Sequence, residues 1–271
     1  MFALALLGLG VVSLYWTVVP RMVHDWWKDP NFSHGFLVPV FSAYLIHEKS
    51  RDLRLLRPES SATAGLFLVV CGLAMLIVGK AGGEYFTMRS SIVVLLSGIF
   101  FIMFGKEGFL LCLFPLMFLF FMVPIPYILY DAIAFPLKMA ASWIGEHALS
   151  AVGIPVLRDG NIIMLPNIRL EVADACSGIR SLMSLMALAT VASYFLNLRI
   201  ALGAVLFVSS VPVSVGTNSL RIFATGILSN RYGEKAAEGF FHDFSGWLVF
   251  AAGAFVILLI GVLLRKIRDS L

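Results

Sequence analysis

Apolar runs alternate with polar connections along the chain, and several approach or exceed the roughly 17–25 residues that cross a bilayer. The first covers residues 2–19. A polar connection at 21–35 follows, carrying Trp26, Trp27 and Phe32, side chains favoured at a membrane–water interface. The second run, 36–46, is short and spans only if its polar flanks enter the bilayer edge. The third, fourth and fifth cover 62–79, 90–104 and 109–123. The sixth starts near Cys176 and ends near Leu196. The seventh covers about 200–218, with Pro212 as a kink point, and the eighth 244–264. The runs are continuous, which argues against the alternating pattern of a membrane β-barrel. The predicted fold is all-α: a polytopic membrane bundle of about eight spanning helices, one domain over residues 1–271.

The long connection between the fifth and sixth runs has structure of its own. Residues 128–152 place apolar side chains at helical spacing, with Asp131, Lys138, Glu146 and His147 between them, as in an amphipathic helix on a membrane or along a cleft. Residues 153–172 carry glycine and Asp-Gly punctuation between two β-prone pieces, 154–157 and 161–165. They predict a small hairpin before the helix that follows Cys176.

Composition sharpens the class. Of 271 residues, 60% are hydrophobic and 13% charged, against about 25% charged in a soluble domain. The net charge of +4 sits in connections, with no basic stripe interleaved with aromatics, so it speaks to topology and anionic lipid rather than nucleic acid. Residues 1–19 lack a basic leader and read as a span rather than a signal peptide. Lys49, Arg51, Arg54 and Arg57 fill one short connection, and Arg265, Lys266 and Arg268 the tail. The brief turns at Lys106 and Arg199 fall on the same side. Short basic loops stay in the cytoplasm, so both termini are expected inside. The connections 124–175 and 219–243 are then expected outside, which brings Cys176, Arg221 and His242 to one membrane depth.

Three cysteines in distant places predict neither a disulfide framework nor a zinc site, and Cys71 and Cys112 read as packing. No metal motif or cofactor loop emerges. Cys176 is different. Asp174 is placed to cap a helix, putting the thiol in the first turn, where the helix dipole favours thiolate. Arg180, one turn on, adds positive charge on the same face, while Asp174 opposes the shift. A cysteine at a membrane helix also reads as a small apolar filler. His242 at the start of the eighth run titrates near neutrality and suits proton transfer. Arg221 shares a helix face with Asn218 and suits either oxyanion stabilisation or snorkelling to headgroups. Arg180, a turn or more inside an apolar helix, is costly there and points to pairing with Asp174 or Glu171 or to orienting substrate. His34 reads as structural or substrate-positioning.

Taken in order, these residues resemble the exosortase/archaeosortase family of membrane-embedded cysteine enzymes. The likeness rests on NFSHGFLVP at 31–39, GIPVLRDGNII at 153–163, the Cys176-Ser177-Gly178 core with Arg180 and Ser181, NSLRI at 218–222, and the late His242. The resemblance implies Cys176 as nucleophile, Arg221 as transition-state stabiliser and His242 as proton carrier, supported by Arg180, Asn218, Ser177 and His34. It implies no cofactor. It implies exported, membrane-anchored substrates whose C-terminal sorting signal joins a Pro-Glu-Pro-like motif, a spanning helix and a basic tail. It also implies a bacterial inner-membrane setting with the site facing the periplasm. A partner protein from an exopolysaccharide system would supply the C-terminal domain that some relatives carry. Rival readings are a transporter or flippase for a lipid-linked polysaccharide intermediate, with Arg180, Pro115 and Pro212 marking a pathway, and a non-catalytic assembly factor.

Overall fold

The computed structural model describes the backbone of residues 2–56, 62–166, 168–171, 179–233 and 240–270. Side chains are described over the same ranges except 2–6, 62, 168, 170, 171, 179 and 240–245. The chain divides into two compact units, Met1–Pro126 and Tyr127–Leu271.

The first unit is helical among its described residues. It runs through α1 (Phe2–Tyr15), α2 (Val18–Lys28), a 3₁₀ helix (Pro30–Phe36), α3 (Leu37–Glu48), α4 (Ser50–Leu55), α5 (Ala62–Gly82), α6 (Tyr85–Leu111), α7 (Leu113–Phe118) and a second 3₁₀ helix (Leu119–Met122). Antiparallel packing of α5 on α6 dominates it. Gly65, Gly72 and Gly79 recur every seven residues on α5, and a β-carbon on Gly72 would come within 2.8 Å of the Leu95 backbone nitrogen. Side chains this small let two apolar helices approach closely where hydrophobic contrast with lipid is absent. Inside α6, Gly105 departs from helical geometry with φ 69° and makes a kink where the fourth and fifth apolar runs were expected to part. Elsewhere in the unit, the Trp26 indole N–H donates to the Met122 carbonyl at 2.8 Å, and Lys49 Nζ donates to the Leu111 carbonyl at 2.5 Å.

The second unit opens with α8 (Tyr127–Ala151), where the sequence predicts an amphipathic helix. Three antiparallel strands follow, β1 (Leu157–Asp159), β2 (Ile162–Leu165) and β3 (Ile168–Glu171), in the order β1-β2-β3. The predicted hairpin is therefore part of a larger sheet: β1 starts later than expected, and β3 adds a strand by pairing Ile163 with Leu170. Gly160, at φ 63°, turns the chain between β1 and β2. Then come α9 (Ile179–Phe195), α10 (Ile200–Tyr232) and α11 (Phe240–Ser270). One face of α10 joins α8 and the sheet in a core of Ala141, Leu149, Ile163, Leu165 and Ile222. Another joins α9 and α11 through Leu185, Ala189, Ala192, Leu206 and Ile257. At the far end, Arg268 donates to the Leu196 and Asn197 carbonyls at 2.8 and 2.7 Å, capping α9 with a cation.

Among the described residues, four helical stretches are long and apolar enough to cross a membrane: Thr63–Gly82, Tyr85–Leu111, Ile200–Tyr232 and Gly246–Ser270. There are five if Leu113–Met122 and Tyr127–Ala151 form one broken span. The architecture is the expected all-α polytopic bundle with a small sheet; the four or five stretches that meet this test among the described residues do not confirm the expected count of about eight. The first apolar run stops as a helix at Tyr15, and α3 has only 12 residues, about 18 Å against a hydrocarbon thickness of about 30 Å. Conversely, α10 continues through Pro212 well beyond the expected end at 218.

Candidate active site

Helix register in the second unit sets the geometry. A β-carbon on Gly261 would meet Leu196, the residue after α9, and Leu206 of α10, while one on Gly253 would meet Leu185 and Thr217. Along α11 the facing residues thus move toward the start of α9 and the end of α10. It follows that α9 and α11 begin at the same end of the unit where α10 approaches its close. Arg180 lies five residues before Leu185, Arg221 four after Thr217, and Gly246 seven before Gly253. At 1.5 Å per residue, each stands roughly 6–11 Å to the same side of the Leu185–Thr217–Gly253 layer.

Arg221 is only 9% exposed. A β-carbon on Gly246 would lie 3.8 Å from its Nη2, 3.9 Å from Nη1 and 4.0 Å from Cζ, so the guanidinium rests on a part of α11 that has no side chain. Position 242 is one helical turn before Gly246 and shares its face of α11. Asn218, three residues before Arg221 on α10, is 3% exposed, and its Nδ2 has no hydrogen-bond partner among the described residues. The Arg180 Nε is likewise buried without a partner among them. Unpaired buried donors are costly, and these two, without partners among the described residues, lie toward the end of the unit that holds Arg221.

The sheet helps hold this end in place. Ile163 and Leu165 of β2 pack with Ile222, the neighbour of Arg221. Arg158 ties β1 to α8: its Nε donates to Glu146 Oε2 at 3.1 Å and its Nη1 to the Gly160 carbonyl at 2.9 Å. Glu171 closes β3 and Ile179 opens α9.

A family model described as transmembrane exosortase matches residues 26–259. The chain belongs to the transmembrane exosortase family. No curated protein and no solved structure matches it. Membership makes this exosortase a membrane protein of the sortase-like transpeptidase class.

Of the residues singled out in the exosortase sequence, Arg180, Asn218 and Arg221 lie toward the same end of the second unit. Cys176 and Ser177 fall outside the described residues, as does Asp174; Cys176 precedes the first residue of α9 by three positions. His242 lies on the described backbone of α11, but its side chain is outside the description, as is that of Glu171. His34 belongs to the first unit, where its Nε2 is 3.1 Å from the Phe121 carbonyl and its Nδ1 is buried without a partner among the described residues. Burial pushes the His34 pKa down, and the backbone carbonyls of Phe121 and Asn31 oppose that shift without cancelling it. Sequence reasoning missed one residue of this arrangement. Gly246 makes the space for the Arg221 guanidinium, and its only sequence signal is a glycine one turn after His242.

Proposed function

We propose that this exosortase is a cysteine transpeptidase that cuts C-terminal sorting signals of membrane-anchored exported proteins. The observation that carries the reading is the seating of Arg221 on Gly246, one turn from position 242, at the end of the unit where α9 begins. In this reading His242 takes the proton of Cys176 as the sulfur attacks the scissile carbonyl carbon. A C–S bond forms, and the carbonyl π electrons move to oxygen. The Arg221 guanidinium, planar and always charged, hydrogen-bonds that oxyanion. Collapse of the intermediate breaks the C–N bond, and His242 returns the proton to the departing amine. The thioester left on Cys176 is then attacked by an acceptor nucleophile or by water. His242 accepts the new proton, and the thiol is regenerated.

Arg180 is the cation we assign to the acidic residue of a Pro-Glu-Pro-like motif. Arg158 is committed to Glu146, whereas Arg180 keeps a buried Nε without a partner among the described residues. The charge distribution along the sequence supports cytoplasmic termini and a site on the opposite face, and the family resemblance supports the periplasmic face of a bacterial inner membrane for that site. Backbone inside hydrocarbon is locked in helix, so a cut just outside the substrate's own span suits a site near the membrane boundary. Fusions of a periplasm-dependent reporter within 234–239 should be active and those after Arg268 inactive; the reverse pattern would overturn the orientation.

The decisive experiment is to trap the acyl-enzyme and identify the fragment on Cys176 by mass spectrometry. Cys176→Ala should fold, accumulate unprocessed substrate and carry no adduct. Processing that survives in Cys176→Ala would sink the mechanism.

A further inference from the structure

A second site stands in the first unit, and it owes nothing to the thiol chemistry. A cavity of about 250 Å³ opens where the α1–α2 break meets the α5–α6 turn; Thr17, Arg21, Lys80, Gly83, Tyr85 and Arg89 line it. Three separate helices each deliver one cation: Arg21 near the start of α2, Lys80 in the last turn of α5 and Arg89 early in α6. Arg89 is buried and held. Its Nη2 donates to Asp25 Oδ2 at 2.5 Å, and its Cζ lies 5.4 Å from the centre of the Tyr85 ring. Lys80 is exposed and reaches the Leu14 carbonyl at 3.4 Å. Arg21 is exposed. Two carboxylates lie nearby, Asp25, paired with Arg89, and Glu84, which accepts from the Phe86 and Thr87 backbone N–H groups and keeps its charge near Arg89, so three cations stand against two anions. Positive charge is therefore in excess at the mouth of a concave site.

The surroundings say what kind of anion. Trp16, Trp27 and Tyr85 are strongly exposed, as side chains at the headgroup level of a bilayer are. Leu9, Val12 and Leu14 on α1, which ends two residues before Thr17, and Val70, Ile77 and Val78 on α5, which lines the cavity through Lys80, are also exposed and give apolar surface on two helices at the cavity. A small free anion would use the cations alone. An amphiphile with a phosphate head uses both parts. We propose that this cavity binds the phosphodiester headgroup of an anionic phospholipid, whose acyl chains lie on the exposed side chains of α1 and α5.

The test uses the full chain, purified in detergent and reconstituted into vesicles of phosphatidylglycerol and phosphatidylcholine, with retained lipid read by native mass spectrometry. The wild type should retain phosphatidylglycerol over phosphatidylcholine by about tenfold, and Arg21→Gln/Lys80→Gln should bring that ratio close to one. Both side chains are exposed, so the variant should keep the wild-type thermal transition; Arg21→Gln alone gives a smaller change in the same direction. Arg51→Gln/Arg54→Gln on α4 should leave the ratio as it is. A wild type without preference, or a ratio untouched in the Arg21/Lys80 variant, overturns the site. Displacement of phosphatidylglycerol by millimolar inorganic phosphate overturns the lipid assignment in favour of a free anion.

Discussion

The Arg221 guanidinium lies across Gly246, with three of its atoms 3.8–4.0 Å from where a β-carbon on that glycine would sit. That spacing is ordinary van der Waals contact, so one methyl fits and a branched side chain does not. Gly246→Ala should keep processing within about twofold of wild type. Gly246→Leu should push the guanidinium off its seat and cost on the order of 10²-fold in kcat/KM, the scale of a displaced transition-state donor. Comparing kcat/KM with the thermal transition in detergent separates displacement from unfolding. Equal activity in both variants would show that the seat has no part in the reaction.

Asn218 offers a stability–activity contrast. Its Nδ2 is buried without a partner among the described residues, and an unsatisfied buried donor costs about 1–3 kcal/mol. Asn218→Leu, similar in volume, should hold or raise the melting temperature. If the amide is kept for substrate, the same change lowers kcat/KM by about tenfold or more. Loss of stability together with unchanged processing would assign Asn218 a purely structural role.

Arg158 and Glu146 join the sheet to α8, and their side chains are 23% and 26% exposed. A partly exposed pair of this kind couples by about 0.5–1 kcal/mol in a double-mutant cycle. Arg158→Met should destabilise more than Glu146→Gln, because it also removes the bond to the Gly160 carbonyl. Thermal unfolding of the two single variants and the double variant measures both effects. Equal losses in the two single variants would mean that the bond closing the β1–β2 turn contributes nothing.

His34 predicts a pH dependence. Burial lowers its pKa below the ordinary 6.5, so between the folded value and 6.5 the unfolded chain binds more protons. Stability should be flat above about pH 6.5 and fall as pH drops below it, because protonation favours opening. Thermal transitions from pH 7.5 to 5 should show that slope, and His34→Gln should reduce it. A slope unchanged by the substitution would assign the titration to another group.

Much of the fold is legible along the chain because lipid imposes a one-dimensional rule: length and apolarity decide which segments can cross. That rule located α5, α11 and the start of α10 closely, and Asp-Gly placed the β1–β2 turn through the left-handed geometry glycine adopts. It overreached at α1 and α3, where an apolar run does not form one helix of spanning length. It also missed β3, since Ile168–Glu171 becomes a strand by pairing with β2 rather than by a strong pattern of its own. The candidate site divides in the same way. Arg180, Asn218 and Arg221 stood out as polar groups at the ends of apolar runs, a costly placement that any reading of the sequence registers.

By itself, the sequence determined the membrane class, the helical architecture and the residue types available for cysteine chemistry, because hydrophobic length and the cost of charge near lipid are local properties. The tertiary structure decided which of those groups meet. Gly246 faces Arg221 across 25 positions of chain, Arg158 takes Glu146 rather than standing free, and Arg89 finds Asp25 across 64 positions. Such pairings follow from the register of helices packed against one another, and no local periodicity encodes that register.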